Sequence, residues 1–277
     1  MIRFAHTLLL MMAGTLLLSA CQQETDTTPA TEAATAPAAH TAMEEGLTAT
    51  IEEAIETSPW KAKLADPQRP DRDRDAGRKP VEVIEFLGIA PGATVMDMFT
   101  AGGYYSEVLA AAVGPEGTVY AQNIDFLLKM RDGANDKALT ARLANDRLPN
   151  VVRLDAEMDA LGIEPGSLDA ITFALNFHDV YNGRGVPAAV GALQLMGSLL
   201  KPDGVIGLID HAGNPDGDNE NLHRIDPALV RETVAAAGLT IAAESDALAN
   251  PDDDRTGGVF AEGMRGNTDR LLFRITR

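Results

Sequence analysis

Histidine and carboxylate residues stand side by side at two places in the chain, and this pairing can do acid–base chemistry. His178 is followed by Asp179, and Asp210 is followed by His211. A carboxylate beside an imidazole sets its tautomer and raises its basicity, which suits a general base that deprotonates a nucleophile. We therefore take His178, Asp179 and His211 as catalytic candidates, with Asp179 orienting the imidazole. The alternative is that both histidines cap strand ends and bond nearby backbone groups.

A small-residue turn from Thr100 to Gly103 is a candidate ligand site. It lies between an apolar run that ends at Asp97 and a helical pattern that begins at Tyr104. Strand, glycine-containing turn and helix in that order are typical of the first half of a βαβ unit. Glycines let a ligand lie against the backbone, and free N–H groups at a helix start favour polar or anionic groups. A tight turn without a ligand is the alternative.

Metal and nucleophilic chemistry have weaker support. His178, His211, His223 and Asp210 could serve as metal ligands. No HxH or HExxH spacing accompanies them, so no metal site is predicted. The chain has no Gly-x-Ser-x-Gly elbow. The acidic run 252–254 resembles no calcium loop and predicts a solvated loop.

The elements that position these residues alternate between strands and helices. The predicted strands are 94–96, 118–121, 151–154, 168–175, 205–209, 239–244 and 270–275, and the predicted helices are 80–87, 104–113, 124–143, 186–200 and 227–237. Continuous apolar strands predict an α/β fold with a mostly parallel sheet, helices on both faces and a terminal antiparallel pair. Ligands bind such sheets outside the carboxyl ends of the strands, where the candidate residues lie.

Residues 46–80 precede this alternation and predict an N-terminal extension. Leu47, Ile51 and Ile55 form the apolar stripe of a short helix. The charged, proline-containing segment after Trp60 predicts a loop over the surface.

The N-terminus, Met1 to Ala20, has the positive start and short apolar stretch of a signal peptide. It ends in Leu-Ser-Ala before Cys21, the single cysteine of the chain, and so resembles the bacterial lipoprotein signal. The resemblance implies a lipid on Cys21 that holds the protein to a membrane of the cell envelope, on its periplasmic side. In such signals an aspartate directly after the cysteine favours the inner membrane. This chain has Gln22 at that position, which favours the outer membrane. Residues 21–45, rich in Thr, Ala, Pro and Glu, predict a disordered tether.

The net charge of the chain limits the kinds of partner that it can bind. The formal net charge is −18 over 277 residues. An acidic surface repels phosphate backbones, so nucleic acid is not expected as a partner. The hydrophobic fraction of 45% is enough for one sizeable core.

Phrases at successive strand ends resemble those of class I S-adenosylmethionine-dependent methyltransferases. They are RDAGRKP (74–80), GGYY (102–105), VYAQN (119–123), FHD (177–179), LKPDG (200–204) and LHRID (222–226). The resemblance covers about residues 70–277. It implies a methyltransferase-like domain over 46–277, a Rossmann-like seven-stranded sheet, S-adenosylmethionine as cofactor and a small-molecule or envelope acceptor.

The resemblance also implies which residues hold the cofactor. The amino-acid end of the cofactor would contact Asp97, Ala101, Gly102 and Gly103. Its ribose would contact Asn123, and its adenine would contact Asp155. Asn176, at the end of the fourth strand, would also line the cofactor site. Tyr104, Tyr105 and Tyr181 are candidates for lining an acceptor pocket.

The first motif departs from the usual Asp-x-Gly-x-Gly-x-Gly. Phe99 and Ala101 replace two of its glycines, and Asn123 stands where a carboxylate is usual. The ring of Phe99 either tilts into the core or crowds the cofactor.

Three hypotheses remain open at this point. The first is an envelope methyltransferase, the second a catalytically silent protein that binds a small ligand or an envelope partner, and the third a metal-dependent hydrolase. Cofactor binding separates the first hypothesis from the others, and metal content identifies the third.

Overall fold

The structure, a computed structural model, describes residues 58–277. The predicted signal peptide, Cys21, the tether and the helix around Ile51 lie outside the described residues and stay predictions. Within 58–277, no helix combines the length and apolar character needed to cross a membrane.

Seven strands form one central sheet. They are β1 Thr94–Met98, β2 Thr118–Asn123, β3 Val151–Asp155, β4 Leu168–Ala174, β5 Leu200–His211, β6 Thr240–Glu244 and β7 Arg270–Thr276. Their order across the sheet is β3-β2-β1-β4-β5-β7-β6. Neighbours among β1 to β5 run parallel, whereas β7 is antiparallel to both β5 and β6. The predicted fold class is confirmed.

Helices connect the strands and cover both faces. They are α1 Pro59–Leu64, α2 Asp75–Arg78, α3 Pro80–Leu87, α4 Tyr104–Val113, α5 Asp125–Leu143, α6 Phe177–Arg184, α7 Val186–Leu199, α8 Asn219–Leu222 and α9 Pro227–Ala236. Short 3-10 turns lie at Arg72–Arg74, Ala144–Asp146, Met158–Ala160 and Asp246–Leu248. Helix α5 is interrupted by non-helical backbone from Met130 to Gly133.

The core has two layers, one on each face of the sheet. Side chains alternate between faces along β1, so Val95 packs with Leu109 of α4 in one layer and Met96 with Leu193 of α7 in the other. Both faces exclude water, which explains why the strands read as continuous apolar runs.

The segment that leads into α3 was predicted as a surface loop, and this prediction was wrong. It contains α1 and α2, and Arg69 between them is only 3% exposed. Arg69 donates to the Leu64 carbonyl at 3.0 Å and pairs with the Asp75 carboxylate. A buried guanidinium requires such partners, and they fix the segment against the domain.

The stretch after β4 was not predicted as helical, yet α6 begins directly after that strand. His178 and Asp179 therefore lie on the first turn of a helix rather than in a loop. The Asp210 carboxylate accepts the backbone N–H of His178 at 2.7 Å, which satisfies one of the free donors at the helix start.

The acidic run 252–254 is not wholly solvated, contrary to prediction. The side chain of Asp253 is 1% exposed and pairs with both terminal nitrogens of Arg224, at 2.9 and 3.1 Å. Arg224 is itself fully buried and needs a counter-charge.

Candidate functional site

Strand order reverses between β1 and β4, and this point fixes where a ligand can bind. From β1 the chain builds outward through β2 to β3 and then crosses back to β4 on the other side. In sheets of this kind ligands bind at such a point, outside the carboxyl ends of the strands. The predicted site residues on β1, β4 and β5 meet at this carboxyl edge of the sheet.

The loop after β1 has left-handed backbone at alternate residues. Phe99, Ala101 and Gly103 have φ of 55°, 53° and 85°. These are the three glycine positions of the family motif that the sequence resembles. The two positions without glycine thus have a backbone conformation that glycine adopts most readily. A left-handed L-residue costs about 1–2 kcal/mol, so the surrounding structure must hold this geometry.

The ring of Phe99 lies in the core. Its exposed fraction is 7%, and it meets the Phe173 ring edge-to-face at a centroid distance of 5.4 Å. Of the two outcomes expected for Phe99, the structure shows the inward one. The outer side of the loop is not occupied by this ring.

Asp97 ties the loop to the sheet. Its carboxylate is 2% exposed and accepts from the hydroxyls of Thr100, Ser106 and Thr172, at 2.5, 2.9 and 2.9 Å. Burial raises the pKa of Asp97, and the hydroxyl hydrogen bonds oppose that rise in part. In this structure the carboxylate braces β1, the loop, α4 and β4, and its predicted contact with cofactor stays a prediction.

Asn123 at the end of β2 also holds the loop after β1. Its amide oxygen accepts from the Ala101 N–H at 2.9 Å, and its amide nitrogen donates to the Ala101 carbonyl at 3.0 Å. The neighbouring Gln122 accepts from the Phe99 N–H at 3.1 Å. Asn123 is fully buried, so the predicted ribose contact would require it to release Ala101.

Arg142 of α5 braces the loop from outside, a role that the sequence did not reveal. Its Nε donates to the Gly102 carbonyl at 2.8 Å, and its terminal nitrogens pair with Glu107 of α4 and, at 2.8 Å, with Asp71. A Cβ on Gly103 would lie 3.0 Å from the Arg142 Cδ, so this contact needs glycine there. One side chain thereby joins the loop, two helices and the N-terminal segment.

The residues predicted for the adenine side and for the end of β4 lie at the same edge. Asp155 pairs with Asn123 in the β2–β3 register, and its half-exposed carboxylate bonds Arg153 Nε at 2.8 Å. Asn176 donates to the Phe99 carbonyl at 3.3 Å, which links the ends of β4 and β1. Leu175, between the last residue of β4 and Asn176, has φ of 61°, a strained value for a bulky residue.

His178 is held by Asp210 rather than by the predicted Asp179. Its Nδ1 lies 2.7 Å from the Asp210 Oδ1, and its Nε2 lies 3.3 Å from the Asp179 Oδ1 without hydrogen-bond geometry. Burial alone would lower the pKa of His178, but the two carboxylates outweigh it and raise that pKa to about 10. An imidazolium must lose its proton before it can act as a base.

His211 is the neutral histidine of the site. Its Nδ1 lies 2.7 Å from the Thr268 hydroxyl, and its ring centroid lies 5.9 Å from that of His178. Burial lowers the pKa of His211 to about 3, and Asp210 opposes the shift only in part. At neutral pH the ring is therefore uncharged, and so low a pKa makes it a weak base.

His223 completes the group of histidine rings expected at this edge. Its side chain is 41% exposed, its Nδ1 lies 3.2 Å from the Asp179 Oδ1, and its ring centroid lies 5.6 Å from that of His178. Ligand atoms of His178, Asp179 and His223 all lie within 4.8 Å of one another.

The three candidate tyrosines do not line an open pocket together. The Tyr104 hydroxyl donates to Asp75 at 2.6 Å, and the Tyr105 hydroxyl to the Arg78 carbonyl at 3.4 Å, so the N-terminal segment covers both. Tyr181 lies beside Phe177 at the edge of the core, at a centroid distance of 6.3 Å.

Two surface clefts lie elsewhere. One, of about 510 Å³, opens at the amino ends of the strands between Pro91 and Lys201, where Lys201 pairs with Asp169 at 2.8 Å. Another lies beside α1 and α2 and contains Lys61 and Lys79. Neither is lined by a predicted catalytic, cofactor-binding or acceptor-binding residue.

Comparison with known proteins agrees with this geometry. No family model matches the chain. Over 136 residues the chain is 30% identical to the ubiquinone/menaquinone biosynthesis C-methyltransferase UbiE of Ectopseudomonas mendocina, and the match spans 48% of each chain. The chain thus matches about half the length of this curated relative.

Solved structures give the fold. A SAM-dependent methyltransferase from Aquifex aeolicus superposes with a TM-score of 0.55 at 20% identity, over 79% of this chain and 97% of the other. The fold is that of the SAM-dependent methyltransferases. The resemblance recognised in the sequence is confirmed, and so is the Rossmann-like sheet. The cyclase SpnF also matches this methyltransferase fold, with a TM-score of 0.54 at 13% identity over 81% of this chain and 93% of the other.

Proposed function

We propose that this chain uses S-adenosylmethionine to methylate a small-molecule or envelope acceptor. The observation that carries the proposal is the loop after β1, which keeps left-handed backbone at Phe99, Ala101 and Gly103 and turns the Phe99 ring inward. The ring therefore does not block the loop backbone from the methionine end of the cofactor. The similarity to a C-methyltransferase supports the same conclusion.

The residues of the site fit a reaction that depends on positioning. When bound, S-adenosylmethionine supplies an electrophilic methyl group, and little is needed beyond a deprotonated acceptor held in line. Asp97, Asn123 and Arg142 hold the loop rigid through the hydrogen bonds described above. Rigid placement is the main contribution of these residues.

Proton removal from the acceptor is assigned to His211. His211 is the neutral imidazole of the pair, whereas the ring of His178 is protonated at both nitrogens at neutral pH. Because its low pKa makes His211 a weak base, it suits an acceptor that is itself acidic. The positive charge of His178 favours an acceptor that becomes an anion as it loses its proton. Asp210 supports both roles, because its carboxylate bonds the His178 ring and the backbone N–H of His211 at 2.7 Å each.

The cofactor proposal is tested by calorimetric titration of S-adenosylmethionine and its demethylated product into the purified full chain in detergent. Micromolar binding is expected. Asp155→Ala should weaken it about 10- to 150-fold, the equivalent of one lost charged contact. The matched control is Asp203→Ala, which removes an exposed carboxylate near the amino ends of the strands and should leave affinity unchanged. Absence of binding at millimolar ligand would overturn the proposal and leave a binding protein of the same fold.

Once an acceptor is identified, single-turnover kinetics test the assignment of the base. His211→Ala should slow methyl transfer about 100-fold or more, as expected for the loss of a general base. Unchanged turnover in both His211→Ala and His178→Ala would exclude the proposed chemistry.

We also propose that the chain works at the periplasmic side of the envelope, anchored by a lipid on Cys21, with the outer membrane favoured over the inner. The support is the signal-like sequence before Cys21. This location requires a source of S-adenosylmethionine outside the cytosol.

A further inference from the structure

His178, Asp179 and His223 converge on one point from two separate elements. His178 and Asp179 are consecutive on the first turn of α6, and His223 follows α8. We propose that these three side chains bind a divalent transition-metal cation. The ligand atoms would be Nε2 of His178, Oδ1 of Asp179 and a ring nitrogen of His223.

The spacing of the ligand atoms matches a metal site. Oδ1 of Asp179 lies 3.3 Å from His178 Nε2 and 3.2 Å from His223 Nδ1. A tetrahedral zinc ion with bonds of about 2.0–2.1 Å keeps its ligand atoms roughly 3.3–3.4 Å apart. Two edges of the triangle thus have the required length before any rearrangement, and all three are within 4.8 Å.

A second observation comes from His178 itself. Its side chain is only 4% exposed, yet its Nε2 has no hydrogen-bond partner among the described residues. A buried polar atom without a partner is costly, so its place in a native site calls for a ligand. The atom points toward Asp179, which is where the proposed cation would lie.

The other nitrogen of His178 has the partner that metal-binding histidines usually have. Asp210 is fully buried and bonds Nδ1 at 2.7 Å. When the cation binds, it displaces the proton that Nε2 of His178 otherwise carries. A carboxylate on Nδ1 then keeps the remaining proton on that nitrogen and strengthens the metal bond. Asp210 is therefore a positioning residue for the cation.

His223 is presented to the site by a strained backbone. Its φ is 54°, in the left-handed region, and the next residue, Arg224, is fully buried and anchored on Asp253. Strain of this kind is retained where surrounding contacts enforce it, often at ligand sites. The ring is held within reach of Asp179 although it is 41% exposed.

Two imidazoles and one carboxylate select the class of cation. This ligand set suits zinc, iron or cobalt, whereas magnesium and calcium prefer sites made of oxygen. Three protein ligands leave at least one position open for water or another oxygen ligand. That this ligand could be an oxygen atom of the methyl acceptor rests on the proposed function; binding of the cation does not.

His211 is not part of the set, although the sequence offered it as a possible ligand. Its Nδ1 bonds the Thr268 hydroxyl at 2.7 Å, and Thr268 in turn accepts from Arg270 at 3.0 Å. A cationic guanidinium beside this histidine disfavours a second cation there. His211 thus provides a matched control for His223.

The test is zinc binding by the purified full chain without an affinity tag, stripped with EDTA and titrated at pH 7.5 against a chromophoric chelator. One equivalent of zinc should bind with submicromolar affinity. His223→Ala and Asp179→Asn should each weaken binding more than about 100-fold, because even outer partners of metal ligands are worth about 10- to 100-fold. His211→Ala should leave affinity within about threefold of the parent, since the His211 side chain is neither a ligand nor hydrogen-bonded to one. Circular dichroism confirms folding of each variant.

Substitution with cobalt adds a signature that nonspecific binding does not produce. The visible absorption of a four- or five-coordinate cobalt ion should appear in the parent and in His211→Ala and be lost in His223→Ala. Absence of stoichiometric binding, or binding equal in His223→Ala and the parent, would overturn the proposal. Neither measurement uses S-adenosylmethionine, so failure here is distinguishable from failure of the methyl-transfer proposal.

Discussion

At the scale of single residues, the loop after β1 shows how a glycine motif can lose glycines and keep its shape. Phe99 offsets its left-handed backbone with a ring packed on Phe173, whereas Ala101 has only a methyl group and relies on its two hydrogen bonds to Asn123. The two substitutions therefore differ in their effect on stability, and restoring glycine at each should have opposite results.

Ala101→Gly should raise the free energy of unfolding by up to about 1 kcal/mol. The change removes the cost of a left-handed alanine, and the greater backbone entropy that glycine loses on folding offsets only part of that gain. Phe99→Gly should lower that free energy by about 3 kcal/mol, since a core ring is lost. Urea unfolding measures both. A stabilised Phe99→Gly variant would contradict the core role of the ring, and tighter S-adenosylmethionine binding by this variant would show that the ring crowds the cofactor.

The buried pair of Arg224 and Asp253 predicts an acid dependence. Burial alone would raise the pKa of Asp253, but the Asp269 N–H and Arg224 outweigh it and lower that pKa. A lowered folded-state pKa stabilises the protein above the ordinary aspartate pKa of about 3.9, and the contribution is lost as pH falls below that value.

Asp253→Asn should therefore cost about 3–5 kcal/mol at pH 7, where Arg224 is left without its counter-charge. The difference from the parent should shrink as pH falls below about 4, because protonation then neutralises the parent as well. Urea unfolding at pH 7, 5 and 3 measures this, with Asp252→Asn as the exposed neighbouring control. A difference that stays constant down to pH 3 would contradict the pairing.

At the scale of elements, the site depends on helices that reach it through side chains. Arg142 of α5 contacts the loop carbonyl of Gly102, Glu107 of α4 and Asp71. Arg147 shares Glu107 at 2.5 Å, so the carboxylate keeps one partner if Arg142 is lost.

Arg142→Met should lower the free energy of unfolding by about 2–4 kcal/mol, somewhat less than the full cost of breaking a buried pair because Arg147 remains. It should also weaken S-adenosylmethionine binding, since the loop loses its outer brace. Thermal unfolding and calorimetry measure the two effects. Arg184→Met on the exposed side of α6 is the control, and equal effects of the two substitutions would exclude a specific role for Arg142.

The elements also show where sequence reasoning succeeds and fails. Apolar periodicity predicted α4 from Tyr104 to Val113 with the observed bounds, because that helix is buried along its whole length. It missed α6, whose first turn depends on the distant Asp210 carboxylate. The order of motifs along the strand ends placed the histidines at one edge, but which carboxylate faces which imidazole depends on packing across 32 residues of chain.

At the scale of the whole molecule, the described chain is a sheet with two covered faces, and its candidate site residues lie together at the carboxyl ends of the strands. The N-terminal segment reaches over this carboxyl edge, and Arg270 of β7 donates to the Gly77 carbonyl at 2.7 Å. The tyrosines at the start of α4 are thereby covered. The sequence could not show this, because the charged segment has no apolar period of its own.

The membrane location belongs to the whole molecule as well. Cys21→Ala should move the protein from the membrane fraction to the soluble fraction, because a protein held only by lipid loses its anchor with the acylated residue. Labelling with a clickable fatty acid, followed by fractionation, measures this. Retention of label or membrane association in Cys21→Ala would contradict lipid attachment at that position.

The placement of β7 between β5 and β6 has a consequence for synthesis. β6 comprises residues 240–244, yet its pairing partner begins at residue 270. While the chain is being made, β5 exposes an unpaired edge and β6 has nothing to join until β7 emerges. Such an open edge invites aggregation, so a newly made chain benefits from a chaperone or from rapid completion. The contact between Arg270 and Gly77 also needs β7, so the cover over Tyr104 and Tyr105 is complete only when β7 is in place.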